Sequence, residues 1–199
     1  AKIEVKDNKN KTALICAAEK GDASSVQLLL DAKTDITVAD SHGLAPLMIA
    51  LLRGPIHAQK LLDAKTDIEA KDALGETVLM WTAAQGKPEC VQWLIDSKAE
   101  IEAKDNNGRT ALICAAETDK ADCLQLLIDA KADVDANNDV GKTALISASE
   151  FGLTCSIECM INAGANLEAK DNAGTTALMV AAESGHVDCV ELLIGANAD

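Results

Sequence analysis

Between residues 111 and 130 the apolar positions fall into two short runs separated by a polar break. In the first, "ALICAAE" (111–117), Leu112 and Ala115 lie three apart, on one side of a helix. In the second, "DCLQLLIDA" (122–130), Leu124, Leu127 and Ile128 repeat the spacing of a helix with one buried face. A polar turn, "KDNNG" (104–108), stands ahead of the pair. Behind it "KADVDA" (131–136) is expected to run extended into the next turn.

The same pattern recurs along the whole chain. "IEAKDNNGRTALICAAE" at 101–117 is nearly rewritten as "IEVKDNKNKTALICAAE" at 3–19 and as "LEAKDNAGTTALMVAAE" at 167–183. The residues that open the polar turn, Asp7, Asp40, Asp72, Asp105, Asn138 and Asp171, are spaced 33, 32, 33, 33 and 33 residues apart. A fixed period of this size predicts a stack of identical helical units, not a single globular core. Six units follow without linkers, at about 7–39, 40–71, 72–104, 105–137, 138–170 and 171–199, forming one domain over 1–199. Residues 1–6, "AKIEVK", match "AEIEAK" at 99–104 and read as the tail of a preceding unit. Neither end carries the polar outer face that a terminal unit needs. A segment of a longer array is therefore expected, with poorly capped natural ends as the alternative.

Thr12, Thr77, Thr110, Thr143 and Thr176 stand where each first helix should begin, and a hydroxyl there can accept an unpaired first-turn amide. The second unit has Ala45 instead, followed by Pro46 at a favourable first position. That unit also lacks one residue between Gly54 and Lys65, compared with Gly86 to Lys98. Wherever the gap falls, His57, Lys60 or Asp63 must come near an apolar position. Leu51 also takes a place held elsewhere by Ala18, Ala116 and Ala182, so packing should differ there.

These residues resemble the ankyrin repeat family, whose pattern is a D-x-x-G turn, T-P-L-H-x-A-A, G-H, an apolar second helix and G-A-D-V-N. "TALMVAAESGHVDCVELLI" at 176–194 is the nearest match, and the resemblance covers the whole chain. It implies an all-α solenoid of stacked helix-turn-helix units with short β-turn fingers. The motif histidine is replaced by Ile15, Met48, Met80, Ile113, Ile146 and Met179, so its hydrogen-bond network should be missing. The glycine that ends the second helix is Lys33, Lys65, Lys98 or Lys131 in four units and survives at Gly164. A left-handed lysine there costs roughly 1 kcal/mol relative to glycine.

Composition narrows the function. With 32 acidic against 18 basic residues the net charge is −14, which disfavours nucleic acid and anionic membrane as partners. Aromatic residues are scarce (two Trp, one Phe, no Tyr), as suits thin layers of small helices. Cys90, Cys123 and Cys189 share one repeat position, and Cys16 and Cys114 another; all are expected to be buried thiols in a reducing, cytoplasmic setting. Cys155 and Cys159 are four apart but lack the further ligands of a metal site. The longest apolar run, "LAPLMIALL", is too short to span a bilayer, and no signal peptide is visible.

Catalytic chemistry finds no constellation. His42, His57 and His186 are isolated, and "GKT" at 141–143 lacks the upstream glycine of a phosphate loop. Asp35, Asp67, Asp133 and Asp199 form one acidic row, and Glu69, Glu102, Asp135 and Glu168 another; both read as solvated faces. The expected function is a non-catalytic protein-interaction scaffold, with no cofactor and no metal, and a monomer. The alternatives are a regulatory domain of a larger catalytic or channel protein, or a bacterial effector module.

The resemblance implies that fingers and first helices line a concave groove. By position the fingers present Leu44, Glu76, Arg109 and Lys142. The groove presents Leu52, Arg53, Ala84, Gln85, Glu117, Thr118, Glu150, Phe151 and Glu183. Trp81 falls on a position held by Cys16, Ile49 and Val180, and is either groove or core; Trp93 falls on a leucine position and is expected in the core. The glutamates, with the net charge, point to a partner protein with a basic or amphipathic segment.

Overall fold

The computed structural model describes residues 3–64 and 66–198. Among them twelve helices follow one another in pairs: α1 (Ala13–Lys20) and α2 (Ala23–Asp31), α3 (Pro46–Leu51) and α4 (Pro55–Asp63), α5 (Val78–Ala84) and α6 (Pro88–Asp96). The other three pairs are α7 (Ala111–Ala116) and α8 (Ala121–Asp129), α9 (Ala144–Glu150) and α10 (Thr154–Asn162), and α11 (Ala177–Glu183) and α12 (Val187–Gly195). First helices pack on first helices and second on second, so the chain is an all-α, two-layered solenoid. Its core is the seam between the layers, filled by residues such as Leu14, Leu47, Leu79, Leu112 and Leu145 from the first helices.

Local chemistry sets each element. The five threonines hold extended backbone angles and accept the amides of Ile15, Met80, Ile113, Ile146 and Met179 at 3.3–3.5 Å. Ahead of them, the residue that opens each finger accepts two amides of its own turn. Asp105 Oδ1, for example, takes those of Asn107 at 2.9 Å and Arg109 at 2.8 Å. Asn138 uses its amide oxygen in the same way, which explains why it can replace aspartate. Successive fingers then stack: the amides of Ser41, Asn106, Asp139 and Asn172 donate to carbonyls of the preceding finger at 3.0–3.1 Å. Gly75 and Gly108 permit that approach, since each has positive φ and a side chain there would strike Asn106 or Asp139.

Several expectations need correction. Residues 131–136 do not run extended: the Ala136 amide donates to the Asp133 carbonyl at 3.2 Å and the Asp135 amide to Asp133 Oδ1 at 3.0 Å, folding the segment into a turn. Trp93 packs against the core but stays half-buried, its Nε1 donating to Gln59 Oε1 at 3.2 Å, since an indole N–H takes an acceptor where it can reach one. Cys90, Cys114, Cys123 and Cys189 are buried, but Cys16 is exposed, since among the described residues no helix precedes α1 to cover it. The acidic row of Glu69, Glu102 and Asp135 is more than a solvated face, since these carboxylates accept the amides of Glu100, Asp133 and Asn166 in the next repeat.

Lys33, Lys98 and Lys131 are left-handed, with φ of 58°, 69° and 71°. Lys65 and Asp199 lie outside the described residues. In repeat 2 the missing residue falls in the connection between the helices, because α4 keeps nine residues with Ala58 and Leu61 turned inward. His57 takes the place of Cys90 and packs, half-buried, against Gly21 of repeat 1. Helices α3 and α4 also meet α5 and α6 over the smallest contact of any neighbouring repeats. Apolar side chains are exposed on both end repeats, at Leu28 and at Met179, Val187 and Ile194.

Candidate interaction face

Fingers and first helices build the face on which the sequence-derived candidates lie. In each repeat a finger residue stands eight positions ahead of a groove residue, which gives the pairs Lys11/Glu19, Leu44/Leu52, Glu76/Ala84, Arg109/Glu117, Lys142/Glu150 and Thr175/Glu183. Three pairs close as ion pairs. Lys11 Nζ lies 2.8 Å from Glu19 Oε2, Arg109 Nη1 3.0 Å from Glu117 Oε2, and Lys142 Nζ 2.6 Å from Glu150 Oε2. Arg109 reaches further, its Nε donating to Asp105 Oδ2 and its Nη2 to Glu76 Oε1 of the preceding repeat, both at 2.8 Å.

The guanidinium is half-buried, and burial alone would lower its pKa; the hydrogen bonds to Asp105 and Glu117 and the charge of Asp105 raise it instead. Glu76 is held above the usual carboxylate range by burial first and by Asp72 next, with Arg109 pulling the other way. Glu19, paired by Lys11, is shifted down.

The fourteen candidates therefore divide. Glu76, Arg109, Glu117, Lys142 and Glu150 are committed to pairs within the chain. Arg53 Nε is tied to the Glu19 carbonyl at 2.8 Å, and Thr118 Oγ1 to the Cys114 carbonyl at 3.0 Å. Trp81 and Ala84 are half-buried against the core, as is Leu44. Leu52, Gln85, Phe151 and Glu183 face outward, and Glu183 alone of the groove glutamates has no partner among the described residues. Lys11 and Asp105 belong to this network but were not picked out by the sequence. Exposed Leu74 and Val140 at two fingertips add apolar contact points.

Other chemistry is sparse. Among the described residues no three His, Cys, Asp or Glu side chains cluster as a metal site. Burial pushes the Cys114 thiol up to about 12 and the Cys123 thiol up to about 11, so neither is an available thiolate near neutrality. His186 Nε2 lies 3.0 Å from the Glu150 carbonyl oxygen, joining repeat 6 to repeat 5. No helix among the described residues is long and apolar enough to cross a membrane.

A family model for ankyrin repeats, in three copies, matches residues 1–72, 47–138 and 121–199. No curated protein sequence matches the chain. Among solved structures it is similar to the ankyrin repeat domain of Bcl-3, a member of the IkappaB protein family, at 27% identity and a TM-score of 0.84, covering 96% of this chain and 89% of that one. It is similar to EF0377, an ankyrin repeat protein, at 29% identity and a TM-score of 0.79, covering 92% of this chain and 96% of that one. A third similar structure is the ankyrin repeat domain ABAYE2397 from Acinetobacter baumannii AYE, at 31% identity and a TM-score of 0.80, covering 94% and 98%.

Proposed function

The chain belongs to the ankyrin repeat family, and from that premise we propose that it is a non-catalytic scaffold whose fingers and first helices hold an amphipathic segment of another protein. One observation carries this reading. Along that face the cations of repeats 1, 4 and 5 are each already held by carboxylates of the chain, whereas Leu52 and Phe151 are left open to solvent. A partner cation would have to displace Arg109 or Lys142 to reach Glu117 or Glu150, so those glutamates are poor docking points. Apolar anchoring then dominates, each fully buried side chain contributing about 1.5–3 kcal/mol. Glu183 remains for a single cation at the repeat 6 end of the bound segment.

The test uses a partner captured with the chain as bait, then purified and titrated by calorimetry. Leu52→Ala and Phe151→Ala are each expected to weaken binding by about tenfold, against less than about threefold for Glu117→Gln. Glu183→Lys should slow association at low salt. Unchanged affinity in the Leu52→Ala/Phe151→Ala double variant would place the partner on another face.

A further inference from the structure

The outer surface of the second helices changes character after repeat 4. On α2, α4, α6 and α8 a glutamine donates to the aspartate one turn later: Gln27 to Asp31, Gln59 to Asp63 and Gln125 to Asp129 at 2.9 Å, and Gln92 to Asp96 at 2.8 Å. On α10 the same two positions hold Glu158 and Asn162, and on α12 they hold Glu191 and Gly195. Neither late repeat closes that lock, and Gly195 removes the side chain that the other five repeats place there.

An open cleft of about 750 Å³ lies between α10 and α12. Half-buried Ile161 and Leu192 line it together with exposed Glu158, Asp188 and Glu191. Among the described residues these three carboxylates make no hydrogen bond or ion pair, and no cation lines the cleft. This is the reverse of the finger face, where Glu19, Glu76, Glu117 and Glu150 are each paired with a cation of the chain.

We propose that the cleft is a second docking site, for a short cationic amphipathic helix of a partner protein. An aliphatic side chain of that helix enters between α10 and α12, and lysines or arginines beside it meet Glu158, Asp188 and Glu191. Charge complementarity selects this occupant. A neutral apolar segment would leave the three carboxylates partly desolvated without partners, and an anionic surface would be repelled by them and by the net charge of −14. The Gln–Asp lock supplies the contrast: in repeats 1–4 the two positions that here hold Glu158 and Asn162 or Glu191 and Gly195 are bonded to each other.

The experiment titrates the chain with a synthetic helical peptide that carries leucines on one face and lysines flanking them, and with its twin bearing glutamates for lysines. The lysine peptide should shift the methyl resonances of Ile161 and Leu192 and leave those of Leu52 in place, and the glutamate twin should not bind. Glu191→Gln with Gly195→Asp rebuilds the lock at unchanged net charge, and should weaken the lysine peptide by about tenfold. Glu89→Gln with Asp122→Asn removes two charges from α6 and α8 and should change binding by less than about twofold. The proposal is overturned if the lysine peptide does not bind, if it shifts Leu52 instead, or if the lock-restoring variant binds it as well as the native chain does.

Discussion

At the scale of single residues, a hydroxyl at the head of a helix matters because the first four amides have no partner within the helix. Ala45 holds the extended geometry of the capping threonines, with φ −70° and ψ 157°, but makes no side-chain bond, and Pro46 removes just one free amide. Ala45→Thr is therefore expected to stabilise the chain by roughly 0.5–2 kcal/mol. The gain should appear as a higher urea midpoint at unchanged slope. A midpoint equal to or below that of the native chain would mean that the new hydroxyl does not reach the Met48 amide. Caps of this kind were readable in the sequence because they depend on a residue and its own first turn. Cys16 and Trp93 were not. Cys16 shares a repeat position with buried Cys114, and its exposure depends on whether another helix covers α1. Trp93 sits on a leucine position, and its half-buried place depends on a bond to Gln59 of α4, which no pattern within its own helix reveals.

At the scale of elements, the period and the helix pairs were readable, whereas the ion pairs were hidden. Lys11/Glu19, Arg109/Glu117 and Lys142/Glu150 are eight residues apart, with the start of a helix between them, so no helical spacing brings them together. Only the fold of finger over first helix does so. Arg109 extends its pair into a link between repeats 3 and 4 through Glu76. Burial, then Asp72, raise the Glu76 pKa above its ordinary 4.5. The folded chain therefore holds that proton more tightly than the unfolded chain, so Glu76 adds stability below the unfolded value. That contribution is lost as pH rises through the folded value. Glu76→Gln removes the dependence: relative to the native chain, the variant should be most favoured near pH 7 and less so as pH falls towards about 4. Urea melts across that range check the sign, and a relative stability that grows on acidification would refute it.

At the scale of the whole molecule, stability in a stacked array is close to a sum over repeats and the interfaces between neighbours, so the weakest interface decides where the array opens. Two observations place it between repeats 2 and 3. The helices there make the smallest contact of any adjacent pair, and the Ala73 amide lacks the bond to the preceding finger that Ser41, Asn106, Asp139 and Asn172 make. Both fall on the irregular second repeat, where α3 has only six residues and the connection to α4 is one residue short. Bridges remain, from the Glu100 amide to Glu69 and from Lys71 Nζ to the Lys104 carbonyl in the loops, and from Cys90 Sγ to the Leu51 carbonyl and Trp93 Nε1 to Gln59 between helices. These polar ties do not make up for the small contact between the helices. Native-state hydrogen exchange should then resolve two groups of amides. Those of α1–α4 should open together at a lower free energy than those of α5–α10, and the gap should persist as a sub-global step at low denaturant. A single opening free energy shared by all ten helices would show that the array unfolds as one unit and that the second repeat is no point of weakness.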